Sequence, residues 1–325
     1  MNSAIPLKTI NQDGTVSIKN GIKPNKYSKI ESQRKPDWLR VKPFSSSNYL
    51  KIKKDLKNKE LFTVCEEAMC PNLSECWNHG TATFMLMGGI CTRACKFCAV
   101  DTGNPHQKLD KDEPNKIVNS IIKMGLDYVV LTSVNRDDLE DGGAEHYALT
   151  IEKIRQEIPD ITIEALTPDF KGSKKSVETL VLSGLDVFAQ NLETVKRLTT
   201  KVRDPRASFE QTLEVLSMAK ELNPNVLTKT SLMLGLGEKE YEVIEAMQEV
   251  ISCGVEIITL GQYLRPTKNH IPVEKWVEPE EFDRYALIAK DIGFKEVASG
   301  PLVRSSYRAD KSAYLVKEKR GLKLS

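Results

Sequence analysis

Short apolar runs alternate with segments of helical periodicity along most of the chain. The strand-like runs lie at Thr83–Ile90, Tyr128–Ser133, Ile161–Leu166, Val187–Leu192, Leu227–Leu234 and Ile257–Leu260. The helical segments that follow them lie at Pro114–Met124, 145–157, 174–183, 208–221, 238–252 and Pro279–Ile292. Glycine or proline marks most of the boundaries, so the pattern predicts six βα units.

Repeated βα units predict a parallel sheet, because each crossover returns through a helix. Of the two arrangements open to six units, doubly wound or barrel-like, we expect an α/β partial (β/α)6 barrel of the TIM type. A chain of 325 residues is an ordinary length for one such barrel. The repeating pattern covers residues 80–298, so residues 1–79 and 299–325 are expected to be N- and C-terminal extensions.

Charge is distributed unevenly along the chain. The net charge is +2, but residues 1–60 carry 14 Lys and Arg against 5 Asp and Glu, which leaves the remainder acidic. A basic arm of this kind can attract an acidic partner. We expect residues 1–30 to be a solvated, partly disordered tail and residues 51–62 to form a basic amphipathic helix.

The sequence indicates neither a membrane span nor a secretory signal. No run approaches the roughly 18 apolar residues that a span needs, and the N-terminus lacks an apolar signal core. We therefore expect a cytoplasmic protein without a membrane partner. In that compartment cysteines serve as ligands more often than as disulfides, and this chain has seven of them.

Six of the seven cysteines form two closely spaced triplets. They are Cys65, Cys70 and Cys76, spaced C-x4-C-x5-C, and Cys91, Cys95 and Cys98, spaced C-x3-C-x2-C. Each triplet offers three thiolates and lacks the fourth that a closed tetrahedral site or a fully ligated cubane needs. A metal centre with an open position can bind another molecule there.

The second triplet follows the first predicted strand, where a parallel barrel carries its active-site loops. Three soft thiolates at short spacing favour a thiophilic metal or an iron–sulfur cluster. The alternatives are a zinc site completed by His79 or His106 and a thioredoxin-like pair of Cys95 and Cys98. Arg93 and Lys96 lie among the thiolates and are expected to offset their negative charge.

The motif C-x3-C-x-aromatic-C after the first strand resembles that of the radical S-adenosylmethionine (SAM) enzymes. The resemblance implies a partial (β/α)6 barrel and a 4Fe–4S cluster held by Cys91, Cys95 and Cys98. It further implies that the open iron binds SAM and that cluster reduction yields a 5′-deoxyadenosyl radical. Phe97 is expected to pack beside the cluster and the adenine.

The first triplet requires a fourth ligand from elsewhere in the chain. Cys253 ends a predicted helix and is interpreted as a small buried hydrophobe. The better candidate is Ser306 in R-S-S-Y (304–307), and here the resemblance narrows to the lipoyl synthase family, which has both triplets and this motif in the same order. Further matching stretches are NHGTATFM (78–85), TSVNRDDLEDGGAEH (132–146), SLMLGLGE (231–238) and TLGQYLRP (259–266).

The resemblance implies ligands and SAM contacts. The implied ligands of an auxiliary 4Fe–4S cluster are Cys65, Cys70, Cys76 and Ser306. Gly142 and Gly143, after the second strand, are expected to contact the methionine end of SAM. Asn191 and Glu193 are the other expected contacts, although this chain reads Ala189-Gln190 where bacterial members commonly have Asn-His.

The implied reaction is insertion of sulfur at C6 and C8 of an octanoyl group on a lysine of a lipoyl carrier domain. The carrier would be a 2-oxoacid dehydrogenase E2 subunit or the glycine cleavage H protein, with flavodoxin or ferredoxin as reductant and no nucleic acid. These C–H bonds have no useful acidity, so a general base cannot break them.

Both extensions are expected to close the barrel mouth. The alternatives are another two-cluster radical SAM enzyme and a zinc-binding interaction protein.

Overall fold

The structure is a computed structural model that describes residues 7–10, 14–21, 23, 25–31, 33–40, 54, 56–59, 61–67, 70, 72, 82–306 and 313–320. The described strands are β1 (Lys8–Ile10), β2 (Val16–Ile18), β3 (Phe62–Thr63), β4 (Ala82–Leu86), β5 (Ile90–Cys91), β6 (Asp101–Gly103), β7 (Tyr128–Ser133), β8 (Thr162–Leu166), β9 (Val187–Ala189), β10 (Leu227–Leu234), β11 (Ile257–Gln262) and β12 (Glu296–Gly300). The described α-helices are α1 (Val64–Glu67), α2 (Glu113–Met124), α3 (Ala144–Glu157), α4 (Lys174–Val181), α5 (Thr199–Val202), α6 (Phe209–Leu222), α7 (Glu240–Ser252), α8 (Pro279–Ile292) and α9 (Ala313–Lys319). None of these helices has the length and hydrophobicity required to cross a bilayer.

The main sheet has the order β12-β11-β10-β9-β8-β7-β4-β3. Its neighbouring strands pair in parallel, apart from β3, which runs antiparallel to β4. The six predicted strands and six predicted helices are all present, with bounds that differ mainly at strand ends. The predicted α/β fold with a parallel sheet is therefore confirmed, and the described strands leave the barrel open between β3 and β12.

Two strands of this sheet, β3 and β12, were not predicted from the sequence. β12 follows α8 and pairs in parallel with β11, which adds a seventh parallel strand to the six predicted units. The predicted domain boundary at residue 298 falls inside it. Its residues are half-buried, so the segment lacks the apolar run that marks the other strands.

The core lies between the sheet and the helices around it. α2 contributes Ile117 and Ile121 and β7 contributes Val129 and Leu131, all fully buried. Burial of such a side chain stabilises the fold by about 1.5–3 kcal/mol. These four side chains belong to one core cluster. Tyr128 and Val130 are buried on the other face of β7, so the strand is covered on both faces, as expected for a parallel sheet of this kind.

The N-terminal arm adds strands to a second sheet. This sheet has the order β1-β2-β6-β5, and its β2–β6 pairing joins the arm to the body. The Asp101 carboxylate accepts hydrogen bonds from the Asn20 N–H (2.8 Å) and the Ser17 hydroxyl (3.3 Å). The prediction of a partly disordered tail is thus wrong for residues 8–10 and 16–18.

Helix α9 packs at the amino end of the barrel. Its buried Leu315 and Val316 form a cluster with the first residues of β9, β10 and β11. Arg320 follows the helix and binds both carboxylate oxygens of Asp186, at 2.6 and 2.7 Å. The prediction that the C-terminal extension closes the mouth is therefore wrong for α9, which lies at the opposite end.

Candidate functional site

A cavity of about 550 Å³ opens at the carboxyl ends of the parallel strands. Its wall includes Cys91, Cys95, Phe97 and Cys98 from the loop after β4. The ends of β7 to β11 and part of the R-S-S-Y segment complete it. The structure therefore brings the second triplet to the end of the barrel where active sites of this architecture form.

The thiols of the second triplet are sheltered from water. The Arg93 N–H donates to Cys91 Sγ (3.4 Å), and the Asp204 N–H donates to Cys95 Sγ (3.3 Å). Burial raises the pKa of Cys95 to about 11 and the pKa of Cys98 to about 12. Buried thiols of this kind become thiolates when a soft metal displaces the proton, so the donor set fits an iron–sulfur cluster.

His270 fixes the end of the cysteine loop. The Thr267 N–H donates to His270 Nδ1 (3.2 Å), so the ring proton lies on Nε2 and is donated to the carbonyl of Cys98 (2.9 Å). Burial lowers the pKa of His270 to about 4, which keeps the ring neutral. The loop after β11, which carries His270, therefore fixes the position of the cysteine loop, although the two loops lie far apart in sequence.

The start of the cysteine loop is fixed by buried polar groups. The Met87 N–H donates to the Glu113 carboxylate (2.9 Å), which also binds His146 Nε2 (2.7 Å). Arg136 donates to the carbonyl of Met87 (3.3 Å). Arg136 and His146 belong to the stretch 132–146 that resembles the family, and both stabilise the turn before the second triplet.

The loop's own cations have other partners. The Arg93 guanidinium is buried between the carboxylates of Asp137 and Asp169, at 2.9 and 2.5 Å. The Lys96 ammonium donates to the carbonyls of Thr200 (3.2 Å) and Arg203 (2.6 Å). The charge of Arg93 is therefore largely balanced by carboxylates, although it still acts against burial to lower the pKa of Cys91, as expected for a cation that offsets thiolate charge.

The predicted SAM contacts separate into two groups. Asn191 and Glu193 line the cavity, with Asn191 Nδ2 donating to Glu193 Oε1 at 3.2 Å. Burial raises the pKa of the Glu193 carboxyl group. The described wall does not include Gly142 or Gly143, and a Cβ at Gly143 would collide with Met87 Sδ. The end of β7 instead brings Ser133 and its neighbours to the cavity.

Polar atoms without a partner line the same cavity. Ser133 Oγ, Gln190 Oε1 and Arg304 Nη2 are buried and have no hydrogen-bond partner among the described residues. A buried polar atom left unpaired is costly, so such atoms in a cavity wall indicate a polar ligand. Gln190 occupies one of the two positions, 189 and 190, where the sequence departs from the family pattern.

The first triplet is described in part. Cys65 lies in α1 with only its backbone described, and Cys76 and His79 lie outside the described residues. Cys70 is half-buried, and burial raises its pKa. The predicted helix at 51–62 is likewise only partly described, with residues 56–58 helical, and it is wrong at its end, because Phe62 lies in β3.

The loop of the first triplet packs against the C-terminal segment. Asn72, two residues after Cys70, donates through Nδ2 to the carbonyl of Leu302 at 2.6 Å. Arg304 lies close enough to Cys70 for the two groups to interact electrostatically. A Cβ at Gly261 in β11 would collide with the Val303 carbonyl, so the segment also packs closely on the barrel. Ser306 follows as a half-buried residue beside this contact.

The remaining sequence candidates lie elsewhere. His106 is exposed on the loop after β6, and Cys253 is half-buried at the C-terminal end of α7. Sequence reasoning missed Lys23 and Arg203, which both line the cavity. Neither belongs to a motif, since each reaches the cavity through pairing or packing between segments distant in sequence.

Comparisons with known proteins agree with this geometry. The family model for the radical SAM superfamily matches residues 85–250, and that for the N-terminal domain of lipoyl synthase of the radical SAM family matches residues 11–70. A lipoyl synthase of Marinobacter nauticus is 57% identical over 304 residues, covering 93% of this chain and 87% of the relative. One of Francisella tularensis subsp. holarctica is 57% identical over 298 residues, covering 92% and 91%.

Solved structures support the architecture alone. The FeFe-hydrogenase maturase HydG from Carboxydothermus hydrogenoformans superposes with a TM-score of 0.53 at 14% sequence identity. The match covers 84% of this chain and 78% of that structure.

Proposed function

This chain belongs to the lipoyl synthase family of radical SAM enzymes, and from that premise we propose which of its residues carry the reaction. The enzyme is a sulfurtransferase that inserts two sulfur atoms, at C6 and C8 of an octanoyl group, and it uses SAM and two 4Fe–4S clusters. We assign Cys91, Cys95 and Cys98 to the cluster that binds SAM. The auxiliary cluster is assigned to the first triplet, Cys65, Cys70 and Cys76, with Ser306 as its fourth ligand.

One observation supports the assignment of the auxiliary cluster to the first triplet and Ser306. The hydrogen bond from Asn72 to the Leu302 carbonyl joins the loop of the first triplet to the segment that bears Ser306. That segment also lines the cavity through Val303, Arg304 and Ser305. This supports an auxiliary site beside the space that the second triplet borders, where one substrate would reach both clusters.

When bound, SAM and the two clusters supply the radical that removes hydrogen from carbon and the sulfur that replaces it. The chain's own residues bind and orient the substrate and exclude water from it. Val134, Leu166 and Met233 line the cavity and offer apolar contacts for an acyl chain. None of the described residues needs to act as a base, because the reacting C–H bonds are not acidic.

We assign Gln190 to SAM binding. Its unpaired Oε1 can accept a hydrogen bond from an N–H or O–H of the bound cofactor, a contact worth about 0.5–1.5 kcal/mol. Gln190→Leu in reconstituted protein is therefore expected to weaken SAM binding about 3- to 10-fold by equilibrium dialysis. Gln211→Leu is the matched control, since Gln211 also has a buried unpaired amide but does not border the cavity. An unchanged dissociation constant for Gln190→Leu would remove this assignment.

The reaction is tested directly with an octanoylated lysine peptide. Anaerobically reconstituted protein, SAM and dithionite should yield the lipoyl peptide, identified by mass, and a parallel reaction with flavodoxin or ferredoxin tests the proposed reductants. The two-cluster assignment requires about eight irons per chain. Saturation at about four irons, or a peptide that gains no sulfur, would contradict the proposal.

We further propose that the partner is an acidic lipoyl carrier domain, of an E2 subunit or the H protein, recognised by the basic arm. Lys8, Lys26 and Arg34 of the arm are exposed. Carrier binding is expected to weaken about tenfold when ionic strength rises from about 0.02 to about 0.5 M, since exposed charge pairs are screened.

The matched comparison uses charge reversal. Lys26→Glu combined with Arg34→Glu should weaken carrier binding at low salt, whereas Lys317→Glu on the exposed side of α9 should not. Affinity that is independent of salt, or equal loss in both variants, would exclude the arm as the recognition surface.

A further inference from the structure

We propose that Lys23 of the N-terminal arm places a positive charge beside the SAM-binding cluster and thereby stabilises the reduced form of that cluster. The inference rests on the proposed assignment of Cys91, Cys95 and Cys98 as cluster ligands. It gives the arm a role inside the active site as well as on the surface.

Strand pairing brings the arm to the cysteine loop. Ile18 in β2 pairs with Thr102 in β6, and Thr102 also pairs with Cys91 in β5. The arm therefore lies two strands away from a cluster ligand. The chain then turns at Gly21, whose positive φ of 68° is favourable for glycine.

Lys23 folds back over that turn toward the cavity. A Cβ at Gly21 would lie 2.7 Å from both Lys23 Nζ and Thr102 Oγ1, so the absence of a side chain makes room for the ammonium group. Lys23 is 9% exposed and lines the cavity. A nearly buried ammonium group is unfavourable unless an opposite charge faces it.

The three cysteines supply that opposite charge when they are thiolates. Burial lowers the pKa of Lys23, whereas Cys98, Cys95 and Cys91 raise it in decreasing order. The loop's own Arg93 is already balanced by two carboxylates, and Lys96 is bound to carbonyl groups. Lys23 is therefore placed to respond to charge at the cluster itself.

Reduction adds an electron to a site that already holds three thiolates. In a partly buried site a nearby positive charge acts with an effective dielectric constant of about 20, well below that of water. The potentials of iron–sulfur clusters depend on net charge, hydrogen bonds to sulfur and exposure to solvent. Removing the charge of Lys23 should therefore make the cluster harder to reduce.

The test is a redox titration followed by electron paramagnetic resonance. Lys23→Met keeps an unbranched side chain without charge, and it is expected to retain iron while the midpoint potential of the SAM-binding cluster shifts to a more negative value. Lys23→Arg should restore the potential. Lys19→Met, which changes an exposed lysine of the same arm, should leave it unchanged.

The outcomes separate this inference from the assignment on which it rests. A wild-type potential in Lys23→Met with full iron content overturns the role of Lys23 and leaves the ligand assignment intact. Wild-type protein without iron at Cys91, Cys95 and Cys98 overturns the assignment. If Lys23→Met loses iron, recovery of iron and potential in Lys23→Arg supports the charge, and loss in both variants overturns it.

Discussion

Ser306→Ala is expected to cleave SAM at close to the wild-type rate but to form at least about 100-fold less lipoyl product. The second triplet and the cavity around it do not depend on the Ser306 hydroxyl, so SAM cleavage persists. The auxiliary site, in contrast, retains only its three cysteines. A serine oxygen is a hard ligand that is more easily protonated and released from iron than a thiolate, which suits a position that must open. The measurement is the ratio of lipoyl peptide to 5′-deoxyadenosine, both quantified by mass spectrometry.

Ser305→Ala is the matched variant, because the motif offers two adjacent serines. Ser305 lines the cavity and Ser306 follows it, so only a comparison of the two shows which oxygen serves the auxiliary site. We expect Ser305→Ala to keep the wild-type ratio of product to SAM cleaved. Normal product from Ser306→Ala, or the same loss in both variants, would contradict the ligand assignment.

Much of the barrel could be predicted from the sequence because its signals are local. A buried strand such as β7 is a continuous apolar run, and its bounds match the prediction at both ends. α8 begins at Pro279 and ends before Gly293, which has a positive φ of 115°, so proline and glycine mark both of its ends. Spacing likewise singled out the second triplet, since its three cysteines lie within one loop.

The features that were not predicted from the sequence are mostly contacts between segments far apart in the chain. β2 pairs with the neighbouring β1 and with the distant β6, and α9 is placed by the buried first residues of three strands. Gly142 and Gly143 were expected at the cavity because they follow β7. The structure shows that Gly143 instead makes room for Met87, at the turn before the cysteine loop. No local pattern distinguishes a glycine that approaches a ligand from one that approaches a side chain.

Gln190 is a residue at the cavity whose contacts could not be assigned from the sequence. The sequence identified position 190 only as a departure from the family pattern and left the ribose and adenine contacts open. The structure places the amide in the wall of the cavity with its oxygen unpaired. The departure therefore changes the identity of a polar group at this position and does not remove it.

Cys98→Ala is expected to reduce SAM cleavage to background, a loss of at least about a thousandfold. The variant should hold about four irons per chain where the wild type holds about eight, since two thiolates cannot retain the second cubane. The fold should survive, because His270 binds the carbonyl of Cys98 and not its side chain. Iron content, the visible absorption spectrum and 5′-deoxyadenosine formation together measure the effect.

Cys253→Ala is the control that separates loss of a ligand from loss of a thiol. Cys253 lies at the end of α7 and does not border the cavity, so its variant should keep about eight irons and full activity. A Cys98→Ala protein that retained both iron and SAM cleavage would remove the second triplet from the mechanism. A Cys253→Ala protein that lost iron would instead show that a ligand had been misassigned, since every other cysteine already belongs to a triplet.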